Sequence, residues 1–139
     1  MEDGLRHSLP RFVFVYGTLK KGFWNHTILA KTKLVGVFET AQNKFGLLDS
    51  GFPVLIDKKT NGAVIRGEVY EVTEPSVLLR LDRLESEGSM YFRRPITLKD
   101  FKEPCEAYYG NLDRFSRCAS FAPVEIDKAG VPLVEYKNG

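Results

Sequence analysis

The sequence predicts an α+β domain, and three observations carry that expectation. Apolar, β-branched and aromatic runs recur along the chain, beginning with Phe12-Val13-Phe14-Val15. One amphipathic helix stands out after Pro75. The length, 139 residues, suits one domain with a real core.

Taken in order, Met1 to Arg11 is polar and is expected to be a flexible N-terminal segment, which leaves 12–139 as a single domain. That segment has no apolar core and does not read as a signal peptide. Phe12 to Val15 reads as a buried strand, Leu34 to Thr40 and Phe45 to Leu48 as further strands. Gly51-Phe52-Pro53 turns the chain into Val54-Leu55-Ile56. Asn61-Gly62 is a strong turn signal before Ala63 to Val72, where side chains alternate between two faces.

The helix should run from Pro75 to about Glu87, with Thr73 as its N-cap and Pro75 in the first turn, where a missing N–H costs nothing. Val77, Leu78, Leu81 and Leu84 form its apolar stripe. Pro95 to Leu98 and Glu106 to Tyr109 read as later strands, separated by a polar loop from Lys99 to Pro104. From Asn111 to Gly139 the periodicity is too weak to assign elements.

Composition excludes several function classes. Twenty Lys and Arg against 18 Asp and Glu leave a formal charge of +2, too small and too evenly spread for a nucleic-acid surface. No apolar run reaches membrane-spanning length. Two cysteines, Cys105 and Cys118, make no disulfide framework, and with two histidines a transition-metal site is not expected. A cytoplasmic protein with reduced thiols is the expectation.

Two places point to chemistry. The first strand ends at Tyr16-Gly17-Thr18-Leu19, where glycine permits positive φ and unpaired N–H groups. Successive free N–H groups past a strand end suit a carboxylate or an oxyanion, although Gly17 could equally serve only to turn the chain. The second place is Glu85, two turns after Leu78 and therefore within the apolar stripe. Burial would raise its pKa and suit it to acid–base work near neutrality. Alternatively, Glu85 reaches the rim to meet Arg93 or Arg94. Asp82 reads most simply as the partner of a surface arginine. Thr18 has no evident base to make it a nucleophile, Asn25 reads as a helix cap, and His26 reads as structural.

Three ordered blocks carry a family resemblance: FVYGTLKKG followed by Asn25-His26; Gly67-Glu68-Val69-Tyr70-Glu71-Val72; and Leu81-Asp82-Arg83-Leu84-Glu85 followed by Tyr91 and Arg93. Together they resemble the γ-glutamyl cyclotransferase superfamily, in its γ-glutamylamine cyclotransferase and AIG2-like branch. The resemblance implies a small mixed β-barrel flanked by short helices. It implies a substrate loop of Tyr16, Gly17, Thr18 and Leu19, a catalytic Glu85, and Tyr91 in the same cavity. It further implies conversion of a γ-glutamyl compound to 5-oxoproline and a free amine, with no metal or organic cofactor. The expected partner is a small-molecule γ-glutamyl substrate, bound by a monomer. A non-catalytic ligand-binding module of the same fold is the alternative, as is action on other γ-glutamyl compounds.

Overall fold

The computed structural model describes residues 11–137. The N-terminal segment expected to be flexible lies outside them, except Arg11, which opens the first strand. Ten strands form one mixed sheet: β1 (Arg11–Val15), β2 (Lys33–Glu39), β3 (Phe45–Asp49), β4 (Pro53–Asp57), β5 (Val64–Val72), β6 (Tyr91–Pro95), β7 (Cys105–Gly110), β8 (Ala119–Ser120), β9 (Glu125–Ile126) and β10 (Pro132–Val134). Their order is β8-β3-β4-β7-β1-β5-β10-β9, with β2 added to β5 and β6 to β7. The sheet curls into a half-barrel, and a few short helices lie against it. These are a 3-10 helix (Trp24–Leu29), α1 (Pro75–Leu84) and α2 (Leu112–Phe115). None of the helices described is long and apolar enough to cross a membrane.

β1 is the strand around which the site is built. It pairs antiparallel with β5 (Val13 opposite Tyr70) and parallel with β7 (Phe12 opposite Cys105). Phe14 packs in one core cluster with Leu55, Ile65, Val69 and Ala107. Val13 and Val15 pack in the other, with Leu29, Val54, Tyr70 and Leu81. Both faces are covered, which explains a continuous apolar run where a half-exposed strand would alternate.

α1 differs from expectation at both ends. Glu74, not Thr73, takes the N-cap in extended conformation and makes no side-chain cap bond. The helix stops at Leu84, with Glu85 as C-cap. Leu81 is wholly buried, and Val77 and Leu78 pack against the same cluster, but Leu84 is exposed.

The strand expected at Pro95 to Leu98 instead occupies Tyr91–Pro95, paired antiparallel with β7. Its two arginines mask it in the sequence, because adjacent charges interrupt the apolar pattern of a strand. Arg93 pairs with Asp82 and Arg94 lies over the Phe92 ring. Asn61 does turn the chain, at φ 55°, but β4 and β5 on either side pair with other strands and not with each other.

Candidate active site

Tyr16 to Leu19 leave β1 and cross the floor of a cavity of ≈ 300 Å³. Every carbonyl of the next three residues is occupied. Lys20 N donates to Gly17 O at 3.0 Å and Asn25 N to Thr18 O at 3.1 Å. His26 Nδ1 lies 3.0 Å from Leu19 O, so that nitrogen carries the hydrogen. No N–H of Gly17, Thr18 or Leu19 donates to another described residue. In a trans peptide the C=O and N–H point in opposite directions. The N–H groups of Thr18 and Leu19 therefore point away from the groups that hold the loop.

The reason for glycine at position 17 differs from the expected one. Gly17 is not among the residues with positive φ. Its role is close approach, because a Cβ there would sit 2.6 Å from Cγ of Pro53. Tyr16 is held through its phenol, which donates to Tyr108 O at 2.6 Å and accepts from Leu55 N at 3.3 Å. Burial pushes its pKa well above the ordinary range. Thr18 Oγ1 accepts from Asn25 Nδ2 at 2.8 Å, and among the described residues no base is hydrogen-bonded to it. Asn25 is thus not the cap it resembles in sequence. It sits inside the 3-10 helix and fastens the loop.

Glu85 reaches the same cavity from the far end of α1. The helix closes with Ser86 N bonded to Arg83 O (3.2 Å) and Glu87 N to Asp82 O (2.9 Å), with Ser86 left-handed at φ 48°. This is the Schellman turn, here with serine where glycine is usual. A non-glycine residue held at positive φ costs on the order of 1 kcal/mol and is tolerated where neighbours fix it. The turn directs the half-buried Glu85 carboxyl into the cavity. No cation or donor among the described residues meets it, and burial alone pushes its pKa up to about 7.

Both arginines considered as its rim partner are engaged elsewhere, Arg94 over the Phe92 ring and Arg93 with carboxylates. Arg93 Nη1 pairs with Asp82, its Nε lies 3.2 Å from Glu106, and Tyr108 OH donates to Asp82 Oδ1 at 2.6 Å. Asp82 is therefore the partner of an arginine, as expected. Tyr91 is buried, donates to Pro53 O at 3.4 Å, and has its pKa raised by burial first and by the Glu85 charge second. All six residues singled out from the sequence line one cavity. Pro53, Ser86 and Tyr108 line it as well. Phe52-Pro53 resembles the family's pocket edge in general character, whereas nothing local in the sequence marked Ser86 or Tyr108, whose place depends on tertiary contacts. Among the described residues no three His, Cys, Asp or Glu side chains cluster as a metal site would require.

The chain belongs to the gamma-glutamyl cyclotransferase, AIG2-like family, whose sequence model matches residues 13–120. It is 36% identical over 88 residues to a Methanocaldococcus jannaschii protein provisionally named a gamma-glutamylcyclotransferase, covering 63% of this chain and 71% of that one. It is 34% identical over 94 residues to the gamma-glutamylaminecyclotransferase of Rattus norvegicus, covering 63% of this chain and 62% of the rat protein. Among solved structures, an AIG2-like protein of Mus musculus superposes with a TM-score of 0.66 at 23% identity, covering 93% of this chain and 98% of that one. At that identity the likeness concerns the fold.

Proposed function

We propose that the chain is a cyclotransferase acting on γ-glutamylamines, with Glu85 as the general acid and base. The observation that carries this reading is the position of Glu85. It is a carboxyl without a partner among the described residues, with its pKa pushed to about 7, across one cavity from three uncommitted backbone N–H groups. Near neutral pH both protonation states are populated, which a group that must take and return a proton requires.

The reaction needs no protein nucleophile. Glu85 takes a proton from the substrate's α-ammonium, and the freed amine attacks the γ-carbonyl carbon. The N–H groups of the loop hold the α-carboxylate or the oxygen that becomes negative. The amide C–N bond then breaks as the leaving nitrogen is protonated from Glu85. Over the whole reaction the α-nitrogen loses two protons and the departing amine gains two, so a single carboxyl working twice balances the chemistry. Folding the substrate so that its amine meets its own carbonyl contributes several kcal/mol. An amine leaving group without a carboxylate beside the amide fits best, since the cavity lining described here includes no Lys or Arg.

The test is a panel of γ-glutamylamines, γ-glutamyl amino acids and glutathione, scored by release of 5-oxoproline. The reading expects the amines to be turned over best. Binding of these compounds with no 5-oxoproline from any of them would overturn it in favour of a ligand-binding module.

A further inference from the structure

The substrate loop has an anchor that lies outside the stretch matched by the family. Lys20, the residue after the loop, is 5% exposed. Its Nζ donates to the carbonyl of Tyr136 at 2.7 Å, lies 3.7 Å from Glu135 Oε2, and sits 5.4 Å from the centre of the Phe23 ring. Tyr136 and Glu135 belong to a C-terminal strap that follows β10. β10 runs parallel to β5, with Leu133 opposite Val64 and Val134 opposite Ile65, both buried. Beyond it, Glu135 also pairs with Arg66 Nη1 at 3.2 Å, and the Tyr136 ring packs between Phe23 and Phe121, with centroids at 5.2 and 5.7 Å. The family match covers residues 13–120 and ends short of β10 and the strap.

A lysine is rarely buried so fully without a task, and its desolvation opposes the charge. Burial does lower the Lys20 pKa, and the Glu135 carboxylate works against that. The backbone of the same residue shapes the loop. Lys20 N closes the turn on Gly17 O, and Phe23 N donates to Lys20 O. The side-chain anchor is thus one residue from the N–H groups proposed to hold substrate.

We propose that Lys20 is a positioning residue for the substrate loop and that the strap of residues 132–137 is what it is fastened to. This rests on the reading that the loop binds the γ-glutamyl compound. Two variants test it: Lys20→Met, which keeps bulk and removes charge, and a chain ending at Glu135, which removes the acceptor carbonyl and the ring. For each, KM should rise roughly tenfold with kcat within about twofold, because N–H groups that hold a carboxylate bind ground state and transition state alike. The two changes combined should do no more than either alone. A lower melting temperature with unchanged KM would mean a purely structural lysine and would overturn the proposal, as would additive effects. If the truncated chain does not fold, Lys20→Met alone decides. Should the wild type release no 5-oxoproline, the catalytic reading fails while the anchor is still judged, by amide hydrogen exchange. Protection at Lys20, Phe23 and Asn25 should then fall at least tenfold in Lys20→Met, with Val69 unaffected, and equal protection there would overturn it.

Discussion

Glu85→Gln separates the chemical role of this side chain from its structural cost, because the two effects have opposite signs. Glutamine keeps the size and reach of the side chain but takes up no proton near neutrality. Turnover should fall by roughly two to four orders of magnitude, the usual worth of a general acid–base group. Substrate affinity should change far less, since the loop N–H groups are untouched. Stability should move the other way. The Glu85 pKa rises from an ordinary 4.5 to about 7 on folding, so between those values the folded chain holds a proton that the unfolded chain has lost. Stability therefore falls as pH rises through that window. The displacement corresponds to roughly 3 kcal/mol, and solvent access through the cavity reduces this to about 2 kcal/mol. Relative to wild type, Glu85→Gln should be more stable by about 2 kcal/mol at pH 8, or roughly 6–8 °C in melting temperature, and near parity at pH 4.5. Melting of both proteins across pH 4.5–8, with 5-oxoproline release measured in parallel, provides the data. A stability difference that stays flat across that window refutes the desolvated carboxyl. Near wild-type turnover refutes its catalytic role.

The same pKa predicts that kcat/KM rises with pH on its acid limb and levels above about 7, because only the ionised carboxyl accepts the α-ammonium proton; a limb near 4.5 would place the base elsewhere. Gly17→Val should lose about 1–3 kcal/mol of stability by overpacking against Pro53 and raise KM, checked by melting and Michaelis kinetics. Ser86→Gly should gain about 1 kcal/mol by relieving the left-handed turn at φ 48°, read as a higher melting temperature. Asp82→Asn should lose about 1–3 kcal/mol, since it removes one of the two carboxylates that Arg93 meets, yet change turnover less than tenfold; a larger loss of rate than Glu85→Gln would exchange their assigned roles.

Much of the fold was legible where local pattern and tertiary environment agree. The run Phe12 to Val15 is buried on both faces and is apolar throughout, so its strand could be read directly. Leu81 sits at the centre of the helical stripe and is fully buried. The pattern failed where long-range partners change what a residue needs. Arg93 looks like surface charge, yet it lies half-buried in β6 with Asp82 of α1 as its ion-pair partner, while Arg94 beside it is exposed and lies over the ring of Phe92. β10 has only three residues, and its place is set by parallel pairing with β5. No local periodicity announces such a strand.

The site was legible for a different reason. Its two halves each break a local rule, one by ending an apolar strand in glycine and the other by placing a carboxylate on an apolar helix face. What the sequence could not supply was the reason for the first break. Gly17 is required by the ring of Pro53, which belongs to β4, and only the packed structure brings that ring to it. The same holds for the fastening of the loop. Asn25 and His26 hold its carbonyls from one side, and Lys20 ties its exit to Tyr136 from the other. A loop whose carbonyls are all occupied by fixed partners has its remaining N–H groups fixed in direction as well. Donors already fixed in direction need no reordering when a carboxylate binds to them. The sequence therefore named six residues that line the cavity and their neighbours Asn25 and His26, while what those neighbours and Lys20 hold emerged only with the fold.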